Sequence, residues 1–236
     1  MEWLFLDTDY KEKVYDVGFP QPVLCLEAAC TDHDLTGQVV WPVSVALARF
    51  ATTLRGRIVE VGAGCGLPGL AAARSGETTV ALTDGSDVVL DLLRQSVARF
   101  GSRAKVFKLV WGDRGSVEDF LSEFGEPVDV VIGADVVAWP TAVEPLLQTV
   151  RALGAPVFYC GFVCRATSTR DLFYAQARRY GFDVAGIGDD PRGLEDPQEQ
   201  QTRALLRITR KTEEGRIPLT FLSDDPEAYE NSRPAC

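Results

Sequence analysis

The sequence predicts an α/β fold: a mainly parallel sheet with helices on both faces and an antiparallel final strand. Three observations predict it. Strand-like and helix-like runs alternate from residue 57 onward, most helix-like runs close on a glycine, and the last two strand-like runs are joined by a polar loop with no helix.

The elements follow in order. Residues 1–40 carry short strand-like pieces, VYDVGF and PVLCLEA, and read as an N-terminal extension; residues 43–54 have the spacing of a covering helix. The sheet starts with RIVEV (57–61), a β-branched run that stops at glycine, and the helix-like LAAARSG (70–76) follows. TVALT (79–83) and KVFKLV (105–110) are the next two strands, separated by DVVLDLLRQSVARFG (87–101). After SVEDFLSEFG (116–125), the fourth strand VDVVIGA (128–134) is nearly continuous apolar sequence, which places it centrally. TAVEPLLQTVRALG (141–154), PVFYCGF (156–162) and TRDLFYAQARRYG (169–181) continue the alternation. DVAGIG (183–188) and RALLRIT (203–209) then flank the loop DDPRGLEDPQEQQ, so they should pair as an antiparallel hairpin. Gly76, Gly101, Gly125, Gly154 and Gly181 stand where left-handed helix stops are expected. The main domain is thus expected over 41–210, with a polar, partly disordered tail over 211–236.

Composition bounds the function. A chain of 236 residues suits one large α/β domain, and its net charge of −10 weighs against nucleic acid, whose phosphates need a basic face. Six cysteines without CxxC spacing and the lone His33 make no metal set, and point to reduced thiols in the cytoplasm or the nucleus. With an acidic start and no apolar run of ~20 residues, neither a leader nor a membrane span is expected.

The richest segment is VEVGAGCGLPGL. Gly62, Gly64 and Gly66 remove side chains where a ligand approaches backbone, and Glu60 suits a cofactor with a free amino group and a positive charge. Asp84 ends the second strand, where a carboxylate can accept from both ribose hydroxyls, leaving Ser86 to cap the next helix. Trp111 follows the third strand and offers a ring to flank a nucleobase. The fourth strand delivers Asp135 to the same cleft, where it can handle a substrate amine, and Trp41 is a further aromatic to close the pocket. By counting, Gly64 to Gly69 is also a GxGxxG with Asp84 twenty residues after Gly64, which keeps an NAD-dependent oxidoreductase as an alternative. The turn frame set by the end of RIVEV puts Leu67 where that pattern needs its third glycine, favouring a nucleoside cofactor without pyrophosphate.

Taken together, VEVGAGCGLPGLAAA, LTDGSD, VWGD, IGADVVAWP and GQVVWPVS resemble the seven-strand S-adenosylmethionine-dependent methyltransferases, and within them the family-16 protein lysine methyltransferases, over about residues 37–209. The resemblance implies a Rossmann-like sheet in the order 3-2-1-4-5-7-6 with strand 7 antiparallel. It also implies methyl transfer from S-adenosyl-L-methionine to a protein lysine, leaving S-adenosyl-L-homocysteine; the sequence leaves the oligomeric state open, with a monomer favoured. It puts Glu60, Gly62, Gly64 and Gly66 around the methionine moiety, Asp84 on the ribose, Trp111 beside adenine, Ala134 along the cleft and Trp41 near the cofactor. Asp135, the candidate catalytic residue, would face the transferable methyl, with Trp139 and Arg165 on the substrate side. The family's Asp-x-x-aromatic segment ends here in Ala138, with Trp139 one place later, so a cofactor-binding interaction module without turnover stands as a second alternative.

Overall fold

Strand alternation sorts the apolar side chains into two layers, one on each face of the sheet. The computed structural model describes residues 10–18, 20–29, 36–187, 202–211 and 221–224. In it, β3 (Gly56–Val61) turns Ile58 to one face and Val59 and Val61 to the other, and β6 (Val130–Ala134) divides Ile132 and Val131 in the same way. The helices α1 (Pro42–Ala51), α2 (Leu67–Ala72) and α3 (Asp87–Arg99) cover the Ile58 face through Leu47, Leu67 and Leu90. On the Val59 face, α4 (Arg114–Phe124), α5 (Pro140–Ala152) and α6 (Thr167–Arg179) pack through Phe120, Leu146 and Phe173.

With β4 (Thr78–Asp84), β5 (Lys105–Lys108), β7 (Val157–Cys164), β8 (Phe182–Gly186) and β9 (Thr202–Arg210), the sheet runs β5-β4-β3-β6-β7-β9-β8. All its pairs are parallel except those of β9, which is antiparallel to both β7 and β8. Renumbered from the first strand of the sheet, this is the order the resemblance implies. The carboxyl ends of β3, β4 and β6 therefore share one edge, and a strand-order reversal lies between β3 and β6, the place where open α/β sheets form a cleft.

The N-terminal extension is an antiparallel hairpin of β1 (Tyr10–Tyr15) and β2 (Val23–Ala28). Val23, Cys25 and Leu26 join the Ile58-side core, and Leu26 N donates to Ser96 Oγ on α3 at 3.0 Å. Buried Glu27 accepts from the Tyr15 hydroxyl and, at 3.2 Å, from Val40 N, so the hairpin braces the segment that enters α1.

Gly101, Gly154 and Gly181 close their helices with positive φ as expected, but Gly76 does not. There α2 ends early, at Ala72, and the Thr78 hydroxyl shares its one proton between Ala72 O at 2.8 Å and Ser75 O at 3.0 Å. A second departure concerns the tail. Phe221 is buried against α4 with the Arg114 guanidinium 4.7 Å from its ring centroid, Arg114 pairs with Asp224 at 2.9 Å, and Ser223 N donates to Gly112 O at 3.1 Å. The loop over 189–201 and the rest of the tail lie outside the described residues. Among the described residues no helix is long and apolar enough to cross a membrane.

Candidate cofactor and acceptor site

After Val61 the chain turns through Gly62, Gly64 and Gly66, at φ of 58°, 54° and 74°, into α2. Three neighbours press on that turn. A Cβ on Gly62 would lie 2.8 Å from Trp111 Cζ2, one on Gly64 would lie 3.0 Å from Gly37 O, and one on Gly66 would lie 2.7 Å from Leu93 Cδ2. Gly69 belongs to α2 rather than the turn, and a Cβ there would come within 2.5 Å of Glu60 Oε2. It serves close helix–strand packing.

Glu60, expected beside the ligand ammonium, lies just before the glycine turn. Period-two alternation puts it on the face of Ile58, beneath α2, where it is 1% exposed and its Oε2 accepts from Gly69 N at 2.8 Å. It satisfies one of the amides that a helix start leaves unpaired. Burial pushes its carboxyl up to about 8, against the lowering effect of the Gly69 amide. Because the folded value exceeds the unfolded one, the native state keeps a proton that the unfolded chain has lost above about pH 4.5. The associated stability is full below that pH and drains away as pH rises through 8. Urea unfolding at pH 5, 6.5 and 8 should therefore show a falling stability whose slope Glu60→Gln flattens; an equal slope in the variant would assign the decline to other groups.

Asp84 ends β4 at the rim. Its Oδ2 accepts from Gly64 N at 3.2 Å and its Oδ1 from Ser86 N at 3.0 Å, so one carboxylate ties the glycine turn to the start of α3. Burial raises its pKa while the Ser86, Gly64 and Gly85 amides oppose that rise. Ser86 occupies the N-cap position of α3 but makes no side-chain cap bond, contrary to expectation; Asp84 holds its amide instead.

Trp111 stands three residues beyond β5, half-buried, with its ring over Gly62 and its backbone held by Gly112 N donating to Thr149 Oγ1 at 2.9 Å. Trp41, just ahead of α1, is 37% exposed and donates from Nε1 to Thr36 O at 3.0 Å. Ala134, the last residue of β6, lies beside Gly161 of β7, where a Cβ would also meet Val43 at the start of α1.

Asp135 was expected at the cleft, facing the transferable methyl and handling a substrate amine. Both its oxygens accept from the Arg165 guanidinium, and its side chain is 5% exposed. The cause is topological: β6 and β7 are neighbours, so the residues that follow them meet across the edge although thirty positions apart. Arg165, expected on the substrate side by itself, is likewise committed to this pair. Trp139 is 67% exposed at the N-terminus of α5, while Val136 and Val137 are buried.

Sequence reading missed Glu27 and gave Gly37 and Gln38 no role beyond their place in GQVVWPVS. Gly37 backbone crosses Gly64, and Gln38 is 4% exposed with its Oε1 unpartnered among the described residues. No local signal tells that Gly37 meets Gly64 or that Glu27 meets Val40, because each acts on a segment distant in sequence.

The sequence pattern of the lysine methyltransferase family matches residues 21–177. This chain belongs to that family. Over 129 residues it is 37% identical to the histone-arginine methyltransferase METTL23 of Mus musculus, covering 51% of this chain and 49% of that protein. Over 164 residues it is 33% identical to the protein N-lysine methyltransferase METTL21A of Mus musculus, covering 65% and 72%. The chain thus spans about half the length of METTL23 and more of METTL21A. Among solved structures, that of P. horikoshii TYW2 in complex with MeSAdo aligns with a TM-score of 0.55 at 11% identity, over 87% of this chain and 73% of that one, a likeness of fold alone.

Proposed function

We propose that this chain is an S-adenosylmethionine-dependent methyltransferase whose acceptor is a protein side-chain amine, with lysine the leading candidate. The observation that carries the reading is the convergence of Asp84, the glycine turn and Trp111 at one sheet edge in a chain of the lysine methyltransferase family. A rim carboxylate suits a sugar diol, a turn without side chains suits close backbone approach, and an indole suits a base. Gln38 adds a buried acceptor with capacity to spare. These features fit the nucleoside cofactor.

When bound, the cofactor supplies an electrophilic methyl on sulfur. Asp84 would accept from the ribose hydroxyls, Trp111 would flank the base, and Ala134 would leave room along the cleft. On the acceptor side, the exposed Trp139 offers a broad apolar face to a peptide, and Ala138 leaves space where the family carries an aromatic ring. A lysine amine must arrive as the free base, which at neutral pH costs roughly 4–5 kcal/mol for a pKa near 10.4. With both Asp135 oxygens engaged, water is the acceptor of that proton.

Isotopically labelled S-adenosylmethionine, incubated with the purified chain and a cell lysate, should place label on lysine in digested proteins read by mass spectrometry. Trp139→Ala should lower that labelling about tenfold, at unchanged affinity for S-adenosylhomocysteine. Label on arginine would reassign the acceptor toward the type in METTL23's name. Absent label with intact S-adenosylhomocysteine binding would leave the interaction module standing, and stabilisation by NAD alone would favour the oxidoreductase.

A further inference from the structure

The acceptor side carries one built feature that this reading leaves unused, the Asp135–Arg165 pair. Asp135 has a φ of 60°, the single non-glycine residue with positive φ among the described residues, a conformation costly for an L side chain. Its amide donates to Gly161 O at 2.7 Å, which holds the strained residue against β7. Both carboxylate oxygens accept from Arg165, whose guanidinium carbon also lies 5.3 Å from the ring centroid of Trp41. The guanidinium thus has a carboxylate on one side and an indole on the other. Three segments, those preceding α1 and following β6 and β7, meet in it.

We propose that Arg165 is a positioning residue that sets the charge of the acceptor side: held by Asp135 and by Trp41, it neutralises the carboxylate, so an incoming amine is not retained there as ammonium. The inference rests on the methyltransferase reading. A bare carboxylate at this edge would favour the charged form of a nearby lysine, the form that cannot attack, and would also favour a sulfonium ligand over a neutral thioether. A neutral pair keeps the geometry and removes that bias. The Trp41 ring adds a face on which a guanidinium stays charged and seated.

Calorimetric affinities for S-adenosylmethionine and S-adenosylhomocysteine, measured on the full chain and its variants, test the assignment without an acceptor protein. Arg165→Gln should raise the preference for the sulfonium by at least about fivefold, the lower bound set by one unit charge at about 4 Å in water. Asp135→Asn should lower it by a similar factor, while Arg165→Lys and the double variant D135N/R165Q should stay near the parent ratio. Equal factors for both ligands in every variant would reduce the pair to a structural brace and overturn the proposal. If Arg165→Gln fails to fold, Asp135→Asn decides alone, since it leaves the guanidinium unpaired. Binding of neither ligand by the parent chain would remove the cofactor reading itself, an outcome distinct from an unchanged ratio.

Discussion

Asp84→Ala should weaken S-adenosylhomocysteine binding about a hundredfold or more. The carboxylate at the end of β4 can accept from two hydroxyls at once while its own position is fixed by Gly64 N and Ser86 N. Hydrogen bonds to a charged acceptor contribute about 1.5–3 kcal/mol each, and losing two of them amounts to about two orders of magnitude or more in affinity. The same change frees the glycine turn from α3, so part of the loss comes from a looser cradle. Asp84→Asn keeps one oxygen acceptor and should lose less, about tenfold. Titration calorimetry on the three proteins reads both effects, and an Ala variant that binds like the parent would take the ribose away from this residue.

Gly62→Ala should lower stability by about 2–5 kcal/mol. At a φ of 58° an L residue carries about 1–2 kcal/mol of backbone strain. The added Cβ also lies 2.8 Å from Trp111 Cζ2 and 3.0 Å from Val136 Cγ1, inside the distances that packed carbons tolerate, which costs about 1–3 kcal/mol more. For a domain of this size the sum corresponds to a fall in Tm of roughly 4–20 °C. Gly154→Ala separates the two contributions, because its φ is 75° but a Cβ there meets nothing within 4 Å. That control should show the strain alone. The indole pushed off Gly62 is also the proposed wall for the base, so ligand affinity should fall with stability in the Gly62 variant and stay unchanged in the Gly154 control. Melting curves of equal midpoint for the two variants would mean that Trp111 yields without cost.

How much of this was legible in the chain varies with the distance over which each feature acts. The seven strands of the sheet and its antiparallel end could be read from periodicity, from glycine punctuation and from a polar loop with no room for a helix. Asp84 and Trp111 could be placed at strand ends because a strand end is a local property. Glu60 shows where this stops. Alternation says that it shares a face with Ile58, but only the packing of α2 on that face brings its carboxyl to the Gly69 amide.

The tail and the extension make the same point. Nothing local in Phe221 tells that it returns to α4, or in Glu27 that it holds Val40. Asp135 and Arg165 each look like free charges in the sequence, and they meet because β6 and β7 pair in register at Ala134 and Gly161.

By itself the order of residues determined the elements, the sheet edge where the chemistry-bearing side chains collect, and the family. Those depend on short-range preferences of backbone and side chain that survive without neighbours. Tertiary structure alone decided which carboxylate stays open, which is spent on a helix start and which is neutralised by a guanidinium, since charge and burial belong to the partners that folding brings together.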